Sequence, residues 1–514
     1  MSTALNTRRP AAPAGPARGS WVMLGLLLAG QFMGLLDVTI VNVALPTIGR
    51  ALHGSGAALQ LVVAGYTISY ATLLITGARL GDIFGRRRLF QIGVLTFTGA
   101  SLACGLAPTF GFLIAARLVQ GAGAAAMVPQ IMSVIQQRFE GQARARALGA
   151  YAAVLASGAV AGQVLGGVLV TANLLGTQWR PVFLVNVPVG LAIALAVPRV
   201  LPRDRDTDRD RDTDTPAAGR GGLSRLRHLD LAGLATVIPA VFLIVTPLML
   251  GHEENWPAWS LASMAAGLVL AAVFVAVERR VASQGRHPLL DLRVLRSPGL
   301  ASGLAAVALL MITYGGFLFS LALHLQSGLG DSALRAGLTF APSAAAFGLC
   351  GYFWRRLPRR RHHLITPVGS LLAAVAYLGL ALDLRTGTTG GPWLYLVLIV
   401  LGGSLALGFS PLVTHALAGV RPADAANASG LLTTTFQLSQ AVGVATFGSL
   451  FLTLAADHAR HASAHAITIT FAGLAVLLGL GVLAGLPLSR LVARNFSSGS
   501  DSSGSDSSGS DSSG

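Results

Sequence analysis

Long apolar segments with very few charged residues recur along the whole chain of 514 residues, and they constrain the fold more than any other feature. A helix needs about 20 apolar residues to cross the hydrocarbon core of a bilayer. Only 11% of the residues are charged, whereas a soluble domain carries about 25%. These observations exclude a water-soluble globule and predict an all-α, polytopic membrane protein.

Fourteen segments are long enough to span a membrane as helices. They lie near residues 21–45, 57–80, 89–108, 111–135, 146–170, 181–201, 230–251, 259–278, 299–325, 336–354, 364–383, 392–417, 427–455 and 467–487. All 37 basic residues are arginines; with a cytoplasmic N-terminus, 31 fall on the cytoplasmic side and five in outer loops. The positive-inside rule therefore places both termini in the cytoplasm and attributes the net charge of +16 to membrane topology, not to nucleic-acid binding.

A weak internal repeat divides the chain. The loop GARLGDIFGRRR follows the second segment and YFWRRLPRRRHH follows the tenth, while the fifth and thirteenth segments are both rich in glycine. Both features recur eight segments later, which predicts two related six-helix bundles with two inserted helices, an architecture used by secondary transporters. The predicted units are a cytoplasmic tail (1–20), an N-terminal bundle (21–201), a low-complexity loop (202–229), two inserted helices (230–278), a linker (279–298), a C-terminal bundle (299–487) and a disordered tail (488–514).

Two charged side chains lie deep within predicted helices. Asp37 is in the first segment and Arg117 in the fourth, each about 12 Å from the predicted outer surface. A charge within the bilayer is costly, so such residues face a partner or a cavity. We interpret the two as a proton-titrating carboxylate tuned by burial and by an arginine. A fixed ion pair that only joins two helices, and a local structural role for Asp37, are the alternatives.

Further candidates concern gating. The short loop after the second segment contains Asp82, Gly85, Arg86 and Arg87. Its glycine permits a sharp turn, and an aspartate near arginines can form a latch between helices, although membrane anchoring alone also explains the arginines. In the fifth segment three glycines share one helix face, which allows close packing or a hinge: Gly158, Gly162 and Gly166.

Polar and aromatic side chains within the segments are candidates for a substrate cavity, with contacts between helices as the alternative for each. They are Gln120, Gln163, Tyr66, Tyr70, Asn186, Tyr314, His415, Phe436, Gln437 and Gln440. His324 is interpreted as a hydrogen-bonded structural or pore-lining group, and Glu278 as an interfacial charge. The sequence contains no phosphate-binding loop, dinucleotide-binding motif or metal-ligand spacing. It therefore predicts transport driven by an ion gradient, with no enzyme activity, no metal and no cofactor.

Several of these segments resemble motifs of the major facilitator superfamily, in particular its fourteen-helix drug:proton antiporter family. LDVTIVNVALP (36–46) is similar to the helix-1 motif, ARLGDIFGRRR (78–88) to the loop between helices 2 and 3, and ARLVQGAGAA (116–125) to the helix-4 motif. WRPVFLVNVPVG (179–190) and PADAANASGLLTTTFQLSQAVG (422–443) also resemble this family. The fifth segment resembles the antiporter motif of exporters, with a Gly-Gln pair in place of the usual Gly-Pro.

The resemblance implies the major facilitator fold and alternating access between two six-helix bundles. It implies that Asp37 accepts a proton from outside, that Arg117 tunes this site, and that Asp82 with Arg86 closes the inner gate. The expected function is proton-coupled export of small amphipathic compounds such as antibiotics, by a monomer surrounded by membrane lipids. Lipid or metabolite transport by the same fold, and a membrane sensor without transport, are the alternatives. The composition, rich in arginine, alanine and glycine, favours the inner membrane of a bacterium.

Overall fold

The structure is a computed structural model that describes residues 18–173, 176–201, 231–251, 256–284, 288, 290–358, 361–387, 391–421, 424–456 and 462–502. Within these ranges the chain is helical and forms no strand. The predicted low-complexity loop lies outside the described residues, as do most of the N-terminal tail and the last part of the C-terminal tail.

The first six helices form the N-terminal half. They are α1 (Arg18–Leu52), α2 (Gly56–Phe84), α3 (Arg86–Gly105), α4 (Phe110–Arg138), α5 (Gly141–Ala172) and α6 (Pro181–Val200). Gly85 alone separates α2 from α3, with a φ of 96°. This conformation favours glycine because it has no Cβ, and it lets the chain reverse within one residue.

The remaining helices are the inserted pair and the C-terminal half. They are α7 (Leu231–Leu250), α8 (Ala258–Ser283), α9 (Leu300–Gly328), α10 (Ala333–Phe353), α11 (His362–Leu384), α12 (Pro392–Ala418), α13 (Asn427–Ala455) and α14 (Ala462–Ser502). Both α9 and α13 contain a π-helical turn, at His324–Gly328 and Val444–Gly448. The last helix continues past residue 487, where the predicted membrane segment ends.

Twelve of the helices in the described part of the chain are long and apolar enough to span a membrane. The other two are α3, which begins with three arginines, and α5, of which only Ala161–Ala172 counts as an apolar stretch. Both nevertheless pack within the bundle, α3 against α4 and α6, and α5 against α1. The fold class agrees with the sequence analysis, and the exact number of fourteen crossings stays a prediction.

The packing of the helices repeats with an offset of eight. In the N-terminal half α4 packs against α2 and α3, and α1 packs against α5 and α6. In the C-terminal half α12 packs against α10 and α11, and α9 packs against α13 and α14. Two seams join the halves, one between α5 and α10 and one between α2 and α13. Two similar bundles therefore face each other across a central cleft.

The inserted helix α7 contacts both halves. Its Val245 and Met249 are buried in one small apolar cluster with Ala64 of α2 and Ala445 of α13. Helix α7 thus bridges the seam between α2 and α13.

Helix α8 packs against α7. Its Glu278, which the sequence analysis interprets as an interfacial charge, is buried and accepts a hydrogen bond from the Leu290 backbone N–H at 2.8 Å.

Candidate functional site

Asp37 lies on α1 and is fully buried. Its Oδ1 accepts hydrogen bonds from Gln120 Nε2 at 2.8 Å and from Asn186 Nδ2 at 2.9 Å. Its Oδ2 forms an ion pair with Nη1 of Arg117. A buried ionised carboxylate is tolerated only when it is paired and hydrogen-bonded, and both oxygens of Asp37 meet this condition.

Arg117 lies on α4 and is also buried. Its Nε donates to the backbone carbonyl of Val62 on α2 at 3.0 Å, and its Nη1 donates to Gln120 Oε1 at 2.7 Å. The guanidinium carbon lies 4.6 Å from the centre of the Tyr66 ring, which is a cation–π distance. These contacts hold the guanidinium in place between α1, α2 and α4.

The residues in contact with Asp37 and Arg117 form a hydrogen-bonded network, and Gln120 extends it to α3. It lies one helical turn after Arg117, and its Nε2 also donates to Ser101 Oγ at 2.8 Å. Side chains from α1, α3, α4 and α6 and a backbone carbonyl of α2 thus meet around one carboxylate, all within the N-terminal half. Removing one partner of a buried ion pair costs about 3–5 kcal/mol, so the network also stabilises the packing of these helices.

A small cleft between the two halves reaches this network. It is lined by Val38, Asn42, Val63, Thr67 and Arg117 from the N-terminal half and by Gly315, Leu318, Gln440, Ala441 and Val444 from the C-terminal half. Asp37 lies behind Arg117 and has no exposed surface. A molecule in the cleft would therefore meet the guanidinium before the carboxylate.

The predicted cavity residues occupy different places. Three belong to the network and one lines the cleft: Gln120, Asn186 and Tyr66 in the network, and Gln440 in the cleft. Tyr70 packs beside Tyr66 on α2, with ring centres 6.0 Å apart. Tyr314 and Phe436 are half-buried against the apolar core. Gln163 of α5 and Gln437 of α13 are buried, and neither Oε1 has a hydrogen-bond partner among the described residues.

Two predicted histidines lie near helix ends. His415 is in the last turn of α12, with its ring 6.1 Å from that of Trp354 and 6.4 Å from that of His362. It is not among the residues that line the cleft. His324 is buried in the π-helical turn of α9, where its Nδ1 lies 2.8 Å from Ser463 Oγ.

The predicted gating residues lie at two positions. At the turn between α2 and α3, Arg86 begins α3 and Arg87 Nη2 donates to the Pro198 carbonyl of α6 at 2.9 Å. The side chain of Asp82 lies outside the described residues, so the latch between Asp82 and the arginines stays a prediction.

The glycine stripe of α5 faces α1 within the same half. A Cβ on Gly158 would lie 3.0 Å from Leu35 Cβ, and one on Gly166 would lie 2.9 Å from the Ile40 carbonyl oxygen. A Cβ on Gly162 would collide with Thr39. The stripe therefore allows α5 and α1 to pack closely, and its role as a hinge stays a prediction.

Sequence reasoning missed the polar contacts that join the two halves. Among the described residues they are the hydrogen bonds from Gln60 Nε2 to Ser449 Oγ (3.2 Å), from Gln326 Nε2 to the Val43 carbonyl (2.9 Å), from the Leu334 backbone N–H to Thr171 Oγ1 (3.0 Å) and from Thr434 Oγ1 to the Ala71 carbonyl (3.4 Å). The first three lie toward the end of the bundle at which α1 ends and α10 begins, which we call the outer end, and the fourth lies near the middle of α2. Isolated polar residues in apolar helices give no periodic signal that would have identified them.

Comparison with known proteins identifies the family of the chain. The family model of the Major Facilitator Superfamily matches residues 27–444. A probable actinorhodin transporter of Streptomyces coelicolor is 36% identical over 452 residues, which cover 86% of this chain and 74% of that protein. The puromycin resistance protein pur8 of Streptomyces alboniger is 33% identical over 487 residues, which cover 92% of this chain and 91% of that protein.

The fold also has solved counterparts. The crystal structure of a bacterial homologue of the human lysosomal transporter Spinster, in an inward-facing and unoccupied conformation, has a TM-score of 0.64 and covers 93% of this chain and 99% of that one, at 17% identity. At that identity the likeness concerns the fold alone. The relatives and the apolar helices indicate a multi-pass bacterial membrane transporter and not an enzyme. The chain therefore belongs to the Major Facilitator Superfamily.

Proposed function

We propose that the protein is a proton-coupled antiporter that exports small amphipathic compounds across the bacterial cytoplasmic membrane by alternating access. The observation that carries the proposal is the sealed pair of Asp37 and Arg117 directly behind the cleft between the halves. Burying two charges is expensive, and an apolar replacement of similar volume is often at least as stable. An ion pair at this depth is therefore better explained by a role in transport than by stability alone.

Proton coupling follows from thermodynamic linkage. Protonation of Asp37 removes the negative charge that holds Arg117. The net charge at the wall of the cleft therefore depends on whether Asp37 is protonated. Any effect of the proton on substrate affinity is matched by an equal effect of the substrate on proton affinity. The driving force is sufficient, because about 2.3 kcal/mol per charge per 100 mV corresponds to roughly 50-fold accumulation for each net charge moved.

The lining of the cleft favours a lipophilic substrate that is neutral or carries one positive charge. Its walls are mostly aliphatic, and its uncharged polar groups are the amides of Asn42 and Gln440 and the hydroxyl of Thr67. The charge of Arg117 is offset by Asp37. No carboxylate lines the cleft within the described residues, so a dication would lack a compensating acid. Relatives that are named for actinorhodin and puromycin support antibiotics as the substrate class.

We further infer the state and orientation of the transporter. Three of the four hydrogen bonds between the halves in the described part of the chain lie at the outer end, which the arginine distribution assigns to the external side. This arrangement corresponds to an inward-facing state with both termini in the cytoplasm. The proposed unit is a monomer in the lipid bilayer that uses protons as its coupling ion and no other cofactor.

The test is substrate-triggered proton movement in proteoliposomes. With an imposed pH gradient, the wild-type protein should concentrate puromycin while protons move in the opposite direction, and Asp37→Asn should do neither. Asp383→Asn is the matched control, because Asp383 lies near the end of α11 and away from the network. Puromycin accumulation without proton movement, or unchanged activity in Asp37→Asn, would refute the proposal. Translocation of a fluorescent phospholipid without puromycin transport would instead assign a lipid transporter.

A further inference from the structure

The carboxylate of Asp37 is surrounded by donors only. Two amide nitrogens donate to Oδ1, from Gln120 on α4 and from Asn186 on α6, and Arg117 pairs with Oδ2. Amide and guanidinium nitrogens cannot accept hydrogen bonds. The orientation of Gln120 is fixed, because its Oε1 accepts from Arg117 while its Nε2 donates to Ser101. A carboxylate offers about four acceptor sites; the two on Oδ1 are occupied by amides and one on Oδ2 by Arg117, so the remaining site is on Oδ2.

We propose that Gln120 and Asn186 are positioning residues that direct the coupling proton to Oδ2 of Asp37, so that protonation removes the negative charge from the oxygen that pairs with Arg117. The inference rests on the proposed function. Both amides occupy Oδ1, whereas Oδ2 has Arg117 as its partner. The new O–H bond forms at Oδ2 with a proton from a hydronium ion, which leaves as water, and the contact of Arg117 with Oδ2 weakens because this oxygen no longer carries negative charge. The net charge of the pair changes from zero to plus one.

The guanidinium that loses its compensating negative charge borders the cleft. Arg117 keeps its charge and its hydrogen bond to the Val62 carbonyl, and the cleft is the open space beside it. A substrate therefore meets a neutralised wall when Asp37 is ionised and an unpaired cation when Asp37 is protonated. A lipophilic cation binds more weakly to the second form because like charges repel. Proton binding and substrate binding then oppose each other, as antiport requires.

Other ionisable groups near Asp37 do not replace it in this role. In the described part of the chain, Tyr66 of α2 and Cys104 of α3 are the further titratable groups that interact with it. Their ordinary pKa values of about 10 and 8.5 lie above those of carboxylic acids. Helix α6 contributes the neutral Asn186, α5 faces α1 through its glycine stripe, and α9 reaches α1 through Gln326.

The test is a pH titration of the infrared band of the protonated Asp37 carboxyl group, in purified protein reconstituted in lipid and without substrate. The band is assigned by its absence in Asp37→Asn. In Gln120→Leu and Asn186→Leu the band should titrate at a pH about one to two units higher than in the wild type, because each change removes a hydrogen bond to the charged carboxylate.

Gln130→Leu is the matched control. Gln130 is a buried glutamine on the same helix as Gln120, but its Nε2 donates to the Gly77 carbonyl at 2.9 Å and it takes no part in the network. Its substitution should leave the titration midpoint unchanged. Asn186→Ser retains a hydroxyl donor and should shift the midpoint less than Asn186→Leu. Asn186→Ala serves the same comparison if the leucine variant does not fold.

A second measurement connects the titration to binding. Tetraphenylphosphonium is a lipophilic monocation that does not titrate, and its affinity should fall at the pH at which the Asp37 band appears, in each variant as in the wild type. Equal midpoints in the wild type, Gln120→Leu and Asn186→Leu would overturn the positioning role and leave the coupling role of Asp37 intact. A wild-type protein without any titrating Asp37 band would overturn the proposed function itself.

Discussion

Gln60 of α2 and Ser449 of α13 lie 389 positions apart in the sequence, and their side chains meet at 3.2 Å across the seam between the two halves. The Ser449 hydroxyl carries one proton, and two acceptors are within reach of it: Gln60 Oε1 at 3.3 Å and the Leu248 carbonyl of α7 at 3.2 Å. The seam and the inserted helix therefore share one hydroxyl group. Because both side chains are buried, the seam can open only when these polar groups find other partners.

The first prediction concerns this seam. Ser449→Ala should favour opening of the outer end, because it removes a hydrogen bond worth about 0.5–1.5 kcal/mol. The measurement is the labelling rate of Thr67→Cys, in the cleft, by an impermeant maleimide added from outside to a protein without its two native cysteines. We expect about 2- to 10-fold faster labelling, as those free energies imply. Ser439→Ala changes another buried serine of α13 and should label like the parent; equal rates in all three proteins would contradict the prediction.

The second prediction concerns the seam between α5 and α10. A Cβ on Gly337 would collide with the backbone oxygen of Gln163, so Gly337→Ala should force these helices apart and lower uphill transport. Overpacking of this kind costs about 1–3 kcal/mol, which thermal unfolding of the purified protein should detect. Gly479→Ala is the control, since nothing lies within 4 Å of its added Cβ. Normal transport by a well-folded Gly337→Ala protein would show that the seam between α5 and α10 can accommodate the added methyl group.

The third prediction concerns the ion pair. Asp37→Asn keeps the shape of the side chain and removes its titration, so substrate-induced proton release should disappear, and a lipophilic cation should bind with the weaker affinity expected for the protonated wild type. Arg117→Lys should transport poorly, because lysine cannot reproduce the simultaneous contacts with Val62, Gln120 and Asp37. Proton release and uphill transport are measured together on each variant. Proton release by Asp37→Asn at the wild-type level would limit this carboxylate to a structural role.

The fourth prediction concerns the loop between α2 and α3. Asp82→Asn should leave expression and folding unchanged but reduce efflux several-fold, because the predicted latch with Arg86 would lose its negative partner. Asp291→Asn changes an aspartate in the linker before α9 and serves as the control. Efflux rates are compared at equal amounts of protein in the membrane. Wild-type efflux by Asp82→Asn would leave only an anchoring role for the arginines.

Part of the site could be predicted from the positions of residues along single helices, which determine their depth in the membrane and the helix face on which they lie. Asp37 and Arg117 lie at similar depths on their helices, so their meeting follows from the rise of 1.5 Å per residue once both helices are assigned. Gln120 follows Arg117 by one turn and therefore lies on the same face. Asn186 was recognised as a polar candidate, but its contact with Asp37 depends on the rotation of α6 about its axis. That rotation is set by tertiary packing and not by any local pattern.

The sequence analysis includes α3 and α5 among the membrane segments, although α3 starts with three arginines and the apolar part of α5 is short. Their small residues allow close packing in the bundle, but hydropathy does not show which helices they pack against. His415 was assigned to the cavity as an isolated polar residue, whereas its position three residues before the end of α12 places it beside Trp354. The short distance of His415 from the end of α12 distinguishes it from the residues that line the cleft.

The position of α7 has a mechanical consequence. It is packed against α2 in one half and α13 in the other, so it cannot move as a rigid body with both when they rotate. It must travel with one half and slide along the other, over the small side chains of Ala64, Ala441 and Ala445. The length of this sliding contact then limits the angle through which the halves can turn. For the proposed alternating access, we therefore expect the inserted pair of helices to limit how far the two halves rotate.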